Sequence, residues 1–575
     1  MTKILLVNIP AGPYPTDYPP VGISRVIEGV DPKLNCDFYF YDLDYFRPSF
    51  EEIKSKIQSY GPDIIGISAT LTPGYSYVKK LSLFIKNNFP NVIQVLGGET
   101  TVISNIILLK TKIDFCVTGE SEPTFSNLIS KLQKDNFNIK DRETYKNIRG
   151  LVFLLDNIPY FTGYAEETNI IRQVNYELMA KFTDLNHYMQ NVNGQFYRIR
   201  INKHEMDGFF NLFYKHNLNK KMATVFASKG CVGGCTYCHR FFKGYKAIEP
   251  DKMINYMENL TRKYDIGMIQ FAEENFGSNT KATSKIINYL GERKINWAAS
   301  AVRSDTVNEN KIREWKAAGC VNINFGTESC SKKILNIMEK RITVEQNVNA
   351  IKLCRKYDIF VITGLMLGMP GENEKTVRET IDALATTLPD NINMPYEVCT
   401  PWLQAIPGTP VYEYARRIGF IENSLDGEER YIESLNDKNS SEISQYLNFT
   451  DYEKEEIAYW PYYVFLELIA SYIKKHGIWK IIKYKKANRF IYGLIYSMLP
   501  RIIRKTLLKY FSVISYFGFI NLFKLIFYKN IFKKKKKYFN NIDQSIKKIY
   551  KDMPITVRED EKYTYILREG RITGR

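Results

Sequence analysis

Short apolar runs separated by amphipathic stretches recur in two series along this chain, and that rhythm restricts its fold more than any other feature. Between residues 1 and 135 the runs are KILLVNIP, CDFYFYDLD, DIIGISAT, VIQVLGGE and FCVTGE, with stretches such as 74 to 88 between them. Runs so short and apolar read as strands buried on both faces, and the intervening segments are long enough to cross over, which predicts an α/β, doubly wound parallel sheet. A second series, ATVFASKG, MIQFAEE, INWAASAV, VNINFGTE, FVITGLMLGMP and YEVCTPWL, starts at 223, 268, 295, 321, 360 and 396. Spacings of 26 to 45 residues fit successive βα units and predict a partial (β/α)6 barrel, closed by the IPGTP turn at 406 to 410. In both architectures ligands bind beyond the carboxyl ends of the strands. Gly-rich strand ends are also ordinary turns, so the pattern alone leaves both readings open.

The expected organisation is residues 1–139 as the first sheet, 140–221 as a connector with a hairpin at GLVFLLDNIPYF, 222–430 as the barrel, and 431–575 as a mostly α-helical C-terminal region. At 575 residues, with 45% hydrophobic and 25% charged residues, the chain can bury several cores and is neither wholly disordered nor a small disulfide scaffold. The N-terminal MTKILLVNIP lacks a signal-peptide pattern, and no run of 18 uncharged apolar residues occurs, so a cytoplasmic protein without a spanning helix is expected.

Nine cysteines lie at 36, 116, 231, 235, 238, 320, 330, 354 and 399, and only Cys231, Cys235 and Cys238 are clustered. This C-x3-C-x2-C group follows a predicted strand on a Gly-containing loop, so its thiolates can hold three corners of a [4Fe–4S] cluster and leave the fourth iron open for chemistry. A zinc site completed by His239 and a set of buried thiols are the alternatives. Ligands at adjacent positions 238 and 239 strain tetrahedral geometry, and buried thiols rarely fall at this spacing. The other cysteines lack metal spacing and read as core thiols.

The cysteine loop at the first strand end of a six-strand βα series resembles the radical S-adenosylmethionine (SAM) superfamily over residues 222–430. Tyr237, Phe271-Ala-Glu-Glu-Asn-Phe276, Ala301-Val-Arg303, Gly326-Thr-Glu328-Ser329 and Gly364 to Glu372 fall where that family places cofactor contacts. The resemblance implies that Glu273 or Glu274 accepts from the methionyl ammonium, that Glu328 accepts from ribose hydroxyls, and that Arg303 also contacts SAM. The bland readings are an exposed helix-start acid pair for Glu273 and Glu274 and a structural ion pair for Arg303.

Ahead of that core, the first sheet is flavodoxin-like and resembles a cobalamin-binding domain through Pro19-Pro-Val-Gly-Ile23, Ser68-Ala-Thr-Leu71, Gly97-Gly98 and Asp114 to Glu120. The implied cobalamin contacts are Asn8, Ser68, Thr70, Gly97, Gly98, Gly119 and Glu120. The chain's histidines are only His187, His204, His216, His239 and His476. The D-x-H-x-x-G lower ligand of the mutase branch is therefore absent, so cobalamin is expected with a weak or absent lower ligand; a degenerate domain without cobalamin is the alternative.

Residues 474–548 carry 20 Lys and Arg against one acid, Asp543, whereas the whole chain is +18. Aromatics are interleaved with these cations, and the uncharged run 510–523 is too short to span a bilayer. Peripheral contact with anionic membrane, on its inner face, is one expectation; a helix bundle with a solvated basic face stands level with it, and nucleic acid is less favoured. Together the two resemblances imply a cobalamin-dependent radical SAM enzyme served by a reductant such as flavodoxin or ferredoxin. The expected reaction is C-methylation of an unactivated carbon in a small-molecule, lipid or peptide substrate. Radical rearrangement or cyclisation without methylation, and a non-catalytic iron–sulfur membrane-associated protein, are the alternatives.

Overall fold

The computed structural model describes residues 1–510 apart from 11, 70–73, 194–208, 240–243, 391–396, 436–441, 484–498 and 501–502. β1 (Thr2–Asn8), β2 (Cys36–Asp42), β3 (Ile64–Ser68), β4 (Ile93–Gly97) and β5 (Phe115–Val117) run parallel in the order β2-β1-β3-β4-β5. Asn8 pairs with Ser68, and Ser68 with Gly97, so three predicted strand ends come out side by side. The strands are apolar throughout because helices cover both faces. One of these helices, Phe50–Tyr60, is fixed at its start by a Ser49/Glu52 capping box and stopped at Gly61, whose φ of 64° suits glycine.

The hairpin of β6 (Leu151–Leu155) and β7 (Ile158–Phe161) corrects the sequence-based organisation. It is not part of a separate connector but extends the first sheet, with β6 antiparallel to β5. The short strand β5 would otherwise be an open edge, and its Phe115 packs on Phe153 of β6. Asp156 and Asn157 both take positive φ, the conformation a tight two-residue hairpin turn requires. From Gly163 onward the chain is stapled to both sheets: Thr183 and Tyr188 each donate to buried Asp42 at 2.7 Å, while the Tyr176 hydroxyl bridges the backbone of Thr224.

The second sheet contains β8 (Lys221–Val225), β11 (Ile266–Phe271), β12 (Asn296–Val302), β13 (Cys320–Glu328), β14 (Phe360–Leu365) and β15 (Glu397–Cys399), all parallel and in that spatial order. All six strands of the second series are present, and the sheet forms an open barrel. A two-stranded ribbon of β9 (Ser228–Gly230) and β10 (Tyr245–Ala247) stands at its mouth. Phe271, Phe276, Trp297 and Trp315 pack together in the barrel wall, with Phe271–Trp297, Phe276–Trp315 and Trp297–Trp315 meeting edge-on.

Beyond the barrel, helix Trp460–His476 packs on helix Glu374–Ala385, and Trp402 stacks between Tyr446 and Trp460. Part of the basic tail folds back here: Lys505 pairs with Glu374, Arg504 with Glu467 and Lys509 with Glu456. Most of residues 474–548, including 511–523 of the uncharged run, lies outside the described residues. Among the described residues no helix is long and apolar enough to cross a membrane.

Candidate functional site

The cysteine loop leaves β9 directly, and its shape is set by two anchors. Thr236 N donates to Met338 O at 2.9 Å, and Cys238 N donates to Cys235 O at 3.3 Å. Gly233 N in turn donates to Cys231 Sγ at 3.3 Å. A Cβ at Gly233 would stand 3.5 and 3.6 Å from the sulfurs of Cys231 and Cys235 and 3.0 Å from Arg303 Nη1. Glycine therefore keeps open the space between two thiols, as a bulky thiolate-bound group requires. Among the described residues no three His, Cys, Asp or Glu side chains converge as a single-ion site. An all-thiol donor set on one glycine loop suits iron–sulfur ligation. Burial raises the Cys231 thiol, with the Gly233 amide and Arg303 opposing it.

Glu273 stands just past β11 and is 4% exposed, so it is not part of an exposed acid pair. Among the described residues neither carboxylate oxygen has a hydrogen-bond partner at ordinary distance; burial pushes its pKa up to about 8, against a smaller lowering by its own backbone amide and that of Ala227. A buried, underused carboxylate is suited to receive a cationic group. Glu274, by contrast, is exposed and lines the cavity described below.

Arg303 fits both sequence readings in part. It grips Asp305 through two bonds of 3.0 and 2.8 Å and donates to Lys340 O at 3.1 Å, while Nη1 remains beside the cysteine loop. Glu328 ends β13 in a left-handed conformation, φ 59°, an uncommon state for a non-glycine residue. Its Oε1 accepts from Lys340 Nζ at 3.2 Å, and Lys340 also donates to Tyr237 OH at 3.2 Å. Burial opposes the Lys340 charge, yet Glu328 and Cys235 hold its pKa above the ordinary lysine value. Sequence reasoning missed Lys340 because it lies in the loop between helices Lys332–Ile337 and Val344–Lys356, 12 residues beyond Glu328 and outside every strand-end motif.

At the first sheet, Ser68, Gly97 and Gly98 line a cavity of about 240 Å³ together with Arg25, Glu99 and Glu274. Gly97 faces open space, whereas a Cβ on Gly98, at φ 91°, would lie 2.4 Å from Ala69 O. The tight turn thus brings bare backbone to the cavity edge. At the adjacent strand end Asn8 Oδ1 is buried without a partner among the described residues. Glu99 still meets solvent in the cavity, and surrounding protein, then Glu274, raises its pKa. Glu274 comes from the barrel, so the cavity opens where the two sheets meet. Gly119, φ 79°, abuts Tyr164, and Glu120 is turned away to Lys229; Thr70 lies outside the described residues. These open glycine edges and the unpaired Asn8 oxygen fit a large polar ligand with several hydrogen-bonding arms.

Residues 8–129 match the B12 binding domain and residues 225–384 the Radical SAM superfamily. An anaerobic magnesium-protoporphyrin IX monomethyl ester cyclase of Cereibacter sphaeroides is 25% identical over 69% of this chain. This chain spans 60% of that cyclase's length, against 79% of an uncharacterized methyltransferase of Pyrococcus horikoshii that is 26% identical over 70% of the chain. The apo structure of the cobalamin-dependent SAM radical enzyme OxsB shares the fold at a TM-score of 0.60, with 17% identity over 100% of this chain and 83% of that one. The radical SAM methyltransferase TsrM of Kitasatospora setae does so at 0.55, with 16% identity over 74% and 78%. The chain thus carries a B12 binding domain followed by a radical SAM domain, with a [4Fe–4S] cluster and SAM as the cofactors of its barrel and cobalamin as that of its first sheet.

Proposed function

We propose that this protein is a cobalamin-dependent radical SAM methyltransferase that methylates an unactivated carbon of a small-molecule, lipid or peptide substrate. The observation that carries the reading is the shared cavity: Gly97 to Glu99 of the first sheet and Glu274 of the barrel line one space, so both cofactor domains open toward the same substrate. When bound, the cluster with SAM supplies hydrogen abstraction and cobalamin supplies a methyl group. The chain's own residues position and shield. Cys231, Cys235 and Cys238 hold the cluster; Glu273 receives the SAM ammonium in its ionised form; Glu328 takes ribose hydroxyls; and Lys340 and Arg303 provide cations for the SAM carboxylate. A flavodoxin- or ferredoxin-type reductant is the proposed electron source.

Anaerobic reconstitution with all three cofactors, followed by mass spectrometry of products from candidate extracts, tests the reading. A product one methylene equivalent heavier than its substrate supports it. Ring closure with unchanged carbon count would favour a second reading, which draws on the cyclases among the relatives. Absence of reductive SAM cleavage would overturn both.

A further inference from the structure

A buried charge pair joins the first sheet to β9, the strand that leads into the cysteine loop. Lys229, two residues before Cys231, pairs with Glu120, which opens helix Ser121–Lys134 just after β5; their side chains are 4% and 2% exposed. Both also hold the chain between the sheets: Lys229 Nζ donates to Thr168 O at 2.7 Å, and Glu120 Oε2 accepts from Thr168 N at 2.5 Å. Lys246, the register partner of Lys229 on β10, also reaches Thr168 O at 3.3 Å. Three segments distant in sequence thus meet at one point.

A buried ion pair is a poor way to gain stability, because desolvation consumes most of the Coulomb attraction, but its loss on one side is severe and its geometry is specific. Apolar surfaces can slide past one another. A lysine held by a carboxylate of one segment and a carbonyl of another has few satisfactory placements. Its neighbours are informative: Ser121, next to Glu120, lines the cavity of the first sheet, and Cys231 begins the cluster loop. We propose that Glu120 and Lys229 are positioning residues that couple occupancy of the cobalamin cavity to the geometry of the cluster loop. The proposal concerns cofactor placement and holds whether the product is methylated or cyclised.

The test uses the full chain in cluster-loaded and cluster-free forms. Cobalamin affinity is titrated optically in each, and magnetic coupling between cob(II)alamin and the reduced cluster is read by electron paramagnetic resonance. In the wild type, cluster loading should change cobalamin affinity about fivefold or more, in the range typical of coupled sites, and the spin coupling should have one narrow value. The double variant Glu120→Gln with Lys229→Met leaves no lone buried charge. It should still bind each cofactor, but the affinity ratio should fall to about one and the spin coupling should broaden. A structural role alone would weaken both sites without changing their ratio. Wild-type affinity that is independent of the cluster, or a double variant that keeps the wild-type ratio, would overturn the proposal. Should that variant fail to fold, the wild-type measurement still decides, joined by Lys229→Arg, which keeps the pair and is expected to keep the ratio.

Discussion

Among single residues, the cysteines were the most legible, because ligand spacing is a local property of sequence. Cys231→Ala, Cys235→Ala or Cys238→Ala should abolish the [4Fe–4S] absorbance and 5′-deoxyadenosine formation, whereas Cys320→Ala and Cys354→Ala, both buried in the barrel core, should do neither. Glu273 offers a test by pH. Its folded pKa, about 8, lies above the ordinary 4.5, so the folded state takes up a proton over that interval. Its stabilising share is therefore fully present below the unfolded value and lost as pH rises through about 8. The melting temperature of cofactor-free protein should fall between pH 5 and 8, and Glu273→Gln should flatten that fall; an unchanged slope would count against the buried acid. Added SAM should offset the loss more at pH 8 than at pH 6, since an ammonium partner favours the ionised form. Lys340 and Lys229 were not legible, because their roles arise from contacts between elements remote in sequence.

At the level of elements, strand periodicity located both sheets correctly, yet it could not say to which sheet the hairpin β6–β7 belonged. Both sides of that boundary look alike in sequence; the deciding factor is the three-residue β5, which needs a covering strand. The basic tail shows a similar limit. Composition suited a membrane-facing cation stripe, but Arg504, Lys505 and Lys509 meet Glu467, Glu374 and Glu456 on the folded body. Partly exposed pairs of this kind contribute about 0–1 kcal/mol each, so they guide the segment rather than anchor it. Peripheral contact with anionic membrane through residues 474–548 is a proposal, and residues 484–498 and 511–548 of that stretch lie outside the described residues. Neutralising Lys533 to Lys537 should lower binding to anionic vesicles and reduce its salt dependence. Equal binding to neutral and anionic vesicles would remove electrostatic attraction as the cause.

For the whole molecule, the order of the two cofactor domains was legible and their junction was not, because no local pattern records which surfaces will meet. The junction bears on cobalt ligation. His187, first of the chain's histidines, lies outside the cavity lining, with Nε2 2.8 Å from Thr16 O and its ring against Tyr45. Paramagnetic resonance of the bound cob(II)alamin should accordingly show no strong splitting from a protein nitrogen; clear splitting would refute this. A second contact closes the molecule from the far end. In helix Leu425–Ser434, Glu429 accepts from Tyr75 at 2.5 Å and from Lys79 at 2.7 Å and pairs with Lys110 at 3.4 Å. Tyr75 and Glu429 are 354 residues apart. At synthesis rates of about 5–20 residues per second, that separation takes roughly 20–70 s to translate. A nascent first sheet therefore waits on the ribosome with its clasp unfastened. A chain arrested before residue 425 should be cleaved by protease more readily around Tyr75 and Lys110 than the finished protein.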